Sequence, residues 1–266
     1  MFKMKKFTDE ETMLRVWDVE NIKNLIGRFS YYEAANRRED SIRDLWVSQP
    51  ENMATASFGR NWGFCIGMDA VKEYYVNHNR FGATGTATMH PFSTKLLCLA
   101  EDGKTAQGLW MGIGYDTAPN ESGELSGMWV NERMAIDFKK EPDGWKLWHV
   151  FIGTNYTQNA GGSYIKQPLI TETHEYRHGN PAWYMVGNGR EEMTCDVAVF
   201  DQIVDYPERQ VFKDACTRAA EVYTALYNDQ ISFPHLPVDY RSIDDVVNYD
   251  YNGFTSVAVT GEGRVL

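Results

Sequence analysis

Thr105-Ala106-Gln107-Gly108-Leu109-Trp110-Met111-Gly112-Ile113-Gly114-Tyr115 lies at the centre of the stretch that decides the fold of this chain. It reads as a long strand, and it is one of five. Residues 86–92, 95–100, 105–115, 126–139 and 145–152 are rich in β-branched and aromatic side chains and carry no helical period. Their connections are hairpin-like. Glu101-Asp102-Gly103 and Glu141-Pro142-Asp143-Gly144 are compact turns, and 118–123 is a longer polar loop.

Upstream the pattern is different. Ile22, Leu25, Ile26, Phe29 and Tyr32 recur at helical spacing within an arc of about 120°, Asn36 falls in the same stripe, and Asp18 is positioned to cap the segment. Residues 40–46 read as a second short helix, 54–59 and 63–67 as strands, and Asp69 opens a helix over 70–79. Helices followed by a run of antiparallel strands define an α+β domain whose helices pack on one face of a curved sheet. Beyond residue 157 the signal weakens. Residues 159–163 read as a flexible loop, 207–228 contain a helical segment, and the last forty residues look extended. The expected organisation is a domain over 1–157 and an extension over 158–266 that wraps it or a neighbouring subunit.

Charge narrows the function. Lys and Arg number 26 against 37 Asp and Glu, a formal charge of −11. That leaves no basic patch to displace counterions from nucleic acid or to hold an anionic membrane surface. No apolar run approaches the ~20 residues of a membrane helix. The basic start Lys3-Met4-Lys5-Lys6 passes into Thr8-Asp9-Glu10-Glu11 without an apolar core, so no signal peptide is expected and the chain reads as cytoplasmic. Cys65, Cys98, Cys195 and Cys216 are far apart and read as buried thiols. His174 and His178 are four residues apart but lack the His-Glu-x-x-His order, and neither a metal nor a cofactor is expected. Eight Trp, 15 Tyr and 13 Phe supply both a core and the walls of a pocket for a hydrophobic small molecule.

Tyr31-Tyr32-Glu33-Ala34-Ala35-Asn36-Arg37-Arg38-Glu39-Asp40 resembles the end of the first helix in SnoaL-like proteins of the nuclear transport factor 2 (NTF2-like) superfamily. Gly67-Met68-Asp69-Ala70-Val71 resembles the opening of the third helix there. His90 at a strand end, the hairpin Glu101-Asp102-Gly103-Lys104-Thr105-Ala106 and Asp143-Gly144-Trp145-Lys146-Leu147 follow in the same order. The resemblance spans about residues 10–156 and is nearest in pattern to the dehydratase and lyase branch. It implies a cone: a strongly bent antiparallel sheet wrapped round a pocket, with helices closing the other side. Members include dehydratases, isomerases, polyketide cyclases, accessory subunits of ring-hydroxylating oxygenases and plain binding proteins, so fold alone does not choose among them.

In the dehydratase branch the pocket uses a Tyr and an Asp from the first helix and a strand His. The resemblance therefore implies His90 as acid/base, Tyr31 or its neighbour Tyr32 as hydroxyl donor, and a carboxylate where this chain has Asn36. An amide cannot ionise, so Asn36 is left an orienting role, and Glu132, Asp137 or Glu33 must supply any missing carboxylate. Trp110 and Trp129 project from central strands towards a pocket wall. Trp145, Leu147 and His149 share one strand face by simple alternation, which makes His149 a lining residue. The expectation is a cofactor-independent lyase or isomerase acting on a hydrophobic, ring-bearing small molecule, working as a homodimer or higher homo-oligomer. The rivals are a non-catalytic binding protein of the same fold and an oxygenase scaffold subunit.

Overall fold

The computed structural model describes residues 5–60, 63–78, 87–119, 125–161, 174–177, 182–186, 194–195 and 236–250. The helical segment expected within 207–228 lies outside these residues. Helix α1 spans Asp9–Ala34 and starts earlier than the apolar stripe suggests. Thr8 and Glu11 form a reciprocal capping box, and Asp9, Glu10 and Glu11 place negative charge at the positive end of the helix dipole. Asp18 is therefore not a cap. It is buried mid-helix, where its carboxylate accepts from Lys140 Nζ at 2.8 and 2.9 Å and from Trp145 Nε1 at 2.8 Å.

Helices α2 (Arg38–Leu45), α3 (Pro50–Met53) and α4 (Met68–Lys72) are short, and α4 runs into a π-helical turn, Glu73–His78. Seven strands form the main sheet: β1 (Ser57–Arg60), β2 (Gly63–Ile66), β3 (Ala87–Met89), β4 (Ser93–Leu99), β5 (Thr105–Pro119), β6 (Leu125–Glu141) and β7 (Gly144–Asn159). Their order is β2-β1-β7-β6-β5-β3, with β4 also on β5. Every pairing is antiparallel except β1 with β7. Gly103 and Gly144 take positive φ at the two hairpin turns, where a side chain would be strained. Strands β8 (His174–Arg177), β9 (Ala182–Val186) and β10 (Thr194–Cys195) form a separate small antiparallel sheet.

Strands β3 and β4 are one interrupted strand. The register on β5 is unbroken across the gap, from Met89↔Tyr115 to Ser93↔Met111. Pro91 has no N–H to give the ladder and forces His90 into extended backbone, so pairing lapses at 90–92 and leaves His90 outside it. The helices cover the face of the sheet that carries Trp110, Met134, Ile136, Phe138, Leu147 and Val150, and Ile22, Ile26 and Phe29 of α1 are buried against it. Each such side chain contributes about 1.5–3 kcal/mol by leaving water.

The opposite face is covered in part by the segment 236–250. Glu101 and Asp102 donate their N–H groups to the carbonyls of Tyr240 and Arg241, and the side chain of Tyr249 packs with Leu109, Ala135 and Phe151. Among the described residues no helix is long and apolar enough to cross a membrane.

Candidate functional site

Alternation along β5 puts Trp110, Gly112, Gly114 and Asp116 on the helix-covered face, and β6 adds Val130, Glu132 and Met134 to it. His90, released from the ladder, meets two of these side chains. Its Nδ1 lies 2.5 Å from Glu132 Oε2 and its Nε2 lies 2.9 Å from Asp116 Oδ1. The imidazole is 17% exposed, against 4% for the Asp116 side chain and 2% for Glu132. It is thus the most exposed member of the trio. Thr88 donates its hydroxyl to the same Asp116 oxygen, and Ser30 of α1 donates to the His90 carbonyl at 3.1 Å. A bulge in β7 opposite Asn131 and Glu132 sets the local twist behind Glu132.

Burial alone would push the His90 imidazole down. The negative charge of Glu132 and the hydrogen bonds to Asp116 and Glu132 outweigh it and hold the group up at about 10. At neutral pH His90 is therefore an imidazolium with both N–H groups donated to carboxylates. Such a cation gives up a proton before it takes one. Two residues on from His90, Phe92 packs edge-on against Trp110 at 6.2 Å and against Phe29 at 5.6 Å. Among the described residues no group of three or more His, Cys, Asp or Glu side chains is arranged to hold a metal ion.

The other residues read from the sequence fall elsewhere. Tyr31 is 79% exposed on the outer side of α1, one position past Ser30, and is not brought to His90. Tyr32 donates its hydroxyl to Asp44 at 3.0 Å and lies beneath the Arg37 guanidinium. Asn36 occupies the left-handed position after the C-cap of α1, at φ 53°, and its Oδ1 accepts from Arg38 at 3.1 Å. Asn is one of the few residues that tolerates that backbone, which accounts for an amide at the end of the stripe. Trp110 is on the site face but fully packed, edge-on to Phe138. Trp129 is on the opposite face, partly exposed and edge-on to Tyr115.

His149 corrects the alternation argument. A bulge at Trp148 shifts the β6–β7 register between Asp137↔His149 and Phe138↔Leu147, so Leu147 faces the helices and His149 faces away from them. There its Nδ1 is bonded to Asp137 Oδ2 at 2.8 Å, beneath the 236–250 segment. Of the three candidate carboxylates, Glu132 is the one that reaches His90. Asp137 serves His149, and Glu33 accepts from the Tyr75 hydroxyl and pairs with Arg38 at 3.3 Å. Asp116 escaped the sequence reading, although the alternation that places Trp110 inside also places Asp116 inside, six residues along the same strand.

A family model for the SnoaL-like domain matches residues 14–150, more than half of the chain. No curated protein matches it in sequence. Among solved structures, an NTF2-like protein with a cystatin-like fold from Novosphingobium aromaticivorans is 19% identical, over 61% of this chain and 96% of its own, with a TM-score of 0.39. The Kfla4162 protein from Kribbella flavida is 17% identical over 55% and 96%, with a TM-score of 0.45. A hexachlorocyclohexane dehydrochlorinase of type 3 from Novosphingobium barchaimii is 14% identical over 58% and 97%, also at 0.45. The match over residues 14–150 takes in most of α1, the interrupted strand that carries His90, and both carboxylate-bearing strands: the chain belongs to the SnoaL-like domain family.

Proposed function

We propose that the SnoaL-like domain is a cofactor-independent lyase or isomerase acting on a hydrophobic, ring-bearing small molecule. The observation that carries this reading is the His90 imidazolium held between Asp116 and Glu132 on the helix-covered face of the sheet. Elimination needs a base for a C–H proton and an acid for the leaving group. A protonated His90 is the acid, and its neighbouring carboxylate Asp116 is the base. The substrate C–H proton passes to Asp116, the C–H electron pair forms the new double bond, and the departing oxygen takes the His90 proton and leaves as water. The hydrogen bond between Nε2 and Oδ1 then returns the proton from Asp116 to His90 and resets the pair. Isomerisation uses the same groups, with the His90 proton delivered to carbon.

One observation favours a second reading. Both imidazole nitrogens are already bonded to carboxylates, and a closed ion cluster of that kind also suits a binding protein that performs no chemistry. Turnover separates the two. Candidate ring-bearing alcohols are incubated with wild type and with His90→Gln. Loss of water-elimination activity in the variant, with ligand affinity kept, supports the enzyme; affinity without turnover in either protein supports the binder. In the same reading the chain works in the cytoplasm as a homo-oligomer, joined through the exposed part of the sheet that carries Ile113 and Trp129.

A further inference from the structure

Two positions of β5 that face the site have no side chain, and the chain crosses directly over both. A Cβ built on Gly114 would lie 2.3 Å from the Met89 carbonyl oxygen, 3.1 Å from His90 Cα and 3.2 Å from His90 Cγ. One built on Gly112 would lie 2.1 Å from the Pro91 carbonyl oxygen. Both contacts involve main chain, which cannot swing aside as the tip of a flexible side chain can. Neither glycine has the positive φ that would require glycine for its backbone. What makes them glycine is the approach of the Met89–Pro91 segment.

The site depends on that approach. His90 reaches Asp116 and Glu132 at once, and these stand on two different strands, opposite Met128 and Gly112 in the β5–β6 register. The imidazole spans them only because its own backbone comes off the sheet edge and sits low over β5. Raising that backbone by the radius of a methyl group lengthens a 2.5 Å and a 2.9 Å hydrogen bond together. Ser30, which holds the His90 carbonyl from the helix side, limits any sideways escape.

We propose that Gly114, seconded by Gly112, is a positioning residue for His90: the bare strip of β5 sets the height at which the imidazole is clamped between Asp116 and Glu132. The inference rests on His90 being the reacting group, yet its readout does not require turnover. Side-chain ¹⁵N-labelled histidine in the full-length protein reports the His90 titration, assigned by His90→Gln. In wild type the resonance stays that of an imidazolium beyond neutral pH. Gly114→Ala is expected to bring the midpoint down by about one unit or more, as both carboxylate contacts loosen. Gly112→Ala, whose added atom meets Pro91 and not His90, should give a smaller shift in the same direction. Gly127→Ala is the control, because its Cβ makes only an ordinary 3.4 Å contact with Ala160, just past the end of β7. A folded Gly114→Ala with an unmoved midpoint overturns the proposal. So does unfolding of both Gly114→Ala and Gly112→Ala while Gly127→Ala folds, because the strip then serves the fold and not His90. If the midpoint moves as expected but no substrate is ever turned over, the positioning stands and the enzymatic reading falls.

Discussion

Asp137 and His149 face each other across β6 and β7, 2.8 Å from Oδ2 to Nδ1, on the side of the sheet away from His90. The Asp137 carboxylate also accepts from Gln107 Nε2 at 2.8 Å and from the Tyr249 N–H at 2.7 Å, while Gln107 donates to the Val247 carbonyl. A fully buried carboxylate with three donors ties three strands and the 236–250 segment together. Asp137→Asn removes the charge and turns one acceptor oxygen into a donor facing donors. A loss of about 2–4 kcal/mol is expected, from the cost of breaking a buried pair. Urea unfolding of the variant checks it, and a change below about 1 kcal/mol would show that the cluster is incidental to stability.

His90 gives a pH signature of opposite sign to the usual carboxylate case. Its pKa is raised from 6.5 to about 10 on folding. The stability it contributes is complete below pH 6.5 and is lost as pH rises towards 10, because the folded state holds the extra proton over that window. The difference in unfolding free energy between wild type and His90→Gln should therefore shrink from pH 6.5 upward. An unchanged difference would mean that His90 is neutral in the folded protein.

Turnover should follow the same group. With His90 as the acid, activity is retained through neutral pH and falls as pH approaches 10. His90→Ala should lower it by roughly 10²–10⁴, the usual contribution of a positioned acid or base, while affinity changes far less. Tyr31→Phe should leave both untouched, since that hydroxyl is in solvent. Steady-state kinetics on the three proteins decides the point, and full activity in His90→Ala would remove the mechanism.

Much of this was legible in the chain, and each failure has its own physical cause. Hairpin turns with glycine at Gly103 and Gly144 marked the strands, because turn chemistry is local. His149 was misplaced because a period-two count holds only without a bulge, and Trp148 is one extra residue in β7. The start of α1 was missed because the apolar stripe begins a full three turns after Thr8 and Glu11, which form its cap. Asp116 was within reach of the same alternation that places Trp110, whereas the packing of Tyr240 and Tyr249 on the sheet depends on pairings far apart in sequence, which no local pattern encodes. Asn36 reads as a missing catalytic acid only until the backbone is known; its φ and its bond to Arg38 make it a helix-end residue.

That placement gives Asn36→Asp a definite outcome. A carboxylate there pairs with Arg38, which already bonds the amide oxygen, and not with His90. The variant should fold, because Asp also tolerates the left-handed backbone, and the His90 titration should stay in place. Asn36→Ala should instead lose about 1–2 kcal/mol from the unfavourable backbone. A His90 midpoint that rises in Asn36→Asp would bring residue 36 into the site after all.

The sheet face opposite His90 carries the last prediction. The 236–250 segment covers it as far as Leu109, Ala135 and Phe151. Beyond that point Met111, Ile113 and Tyr115 of β5 and Trp129 of β6 are 39%, 59%, 40% and 44% exposed on adjacent strands. Scattered apolar side chains on a surface need no partner, but four together on adjacent strands favour association. Light scattering of the wild type should give at least twice the 30.5 kDa chain mass at micromolar concentration. Ile113→Lys and Trp129→Glu each place a charge in the middle of this strip, where burial against a second copy would desolvate it, and should return the chain to 30.5 kDa. The odd-numbered positions of β5 are the reverse side of the strand that holds Gly112, Gly114 and Asp116, so dissociation should also loosen the His90 clamp. The His90 midpoint, measured in both variants, should fall with the mass; a monomeric wild type would remove the oligomer, and a midpoint that stays put while the mass halves would remove the link between that face and the site.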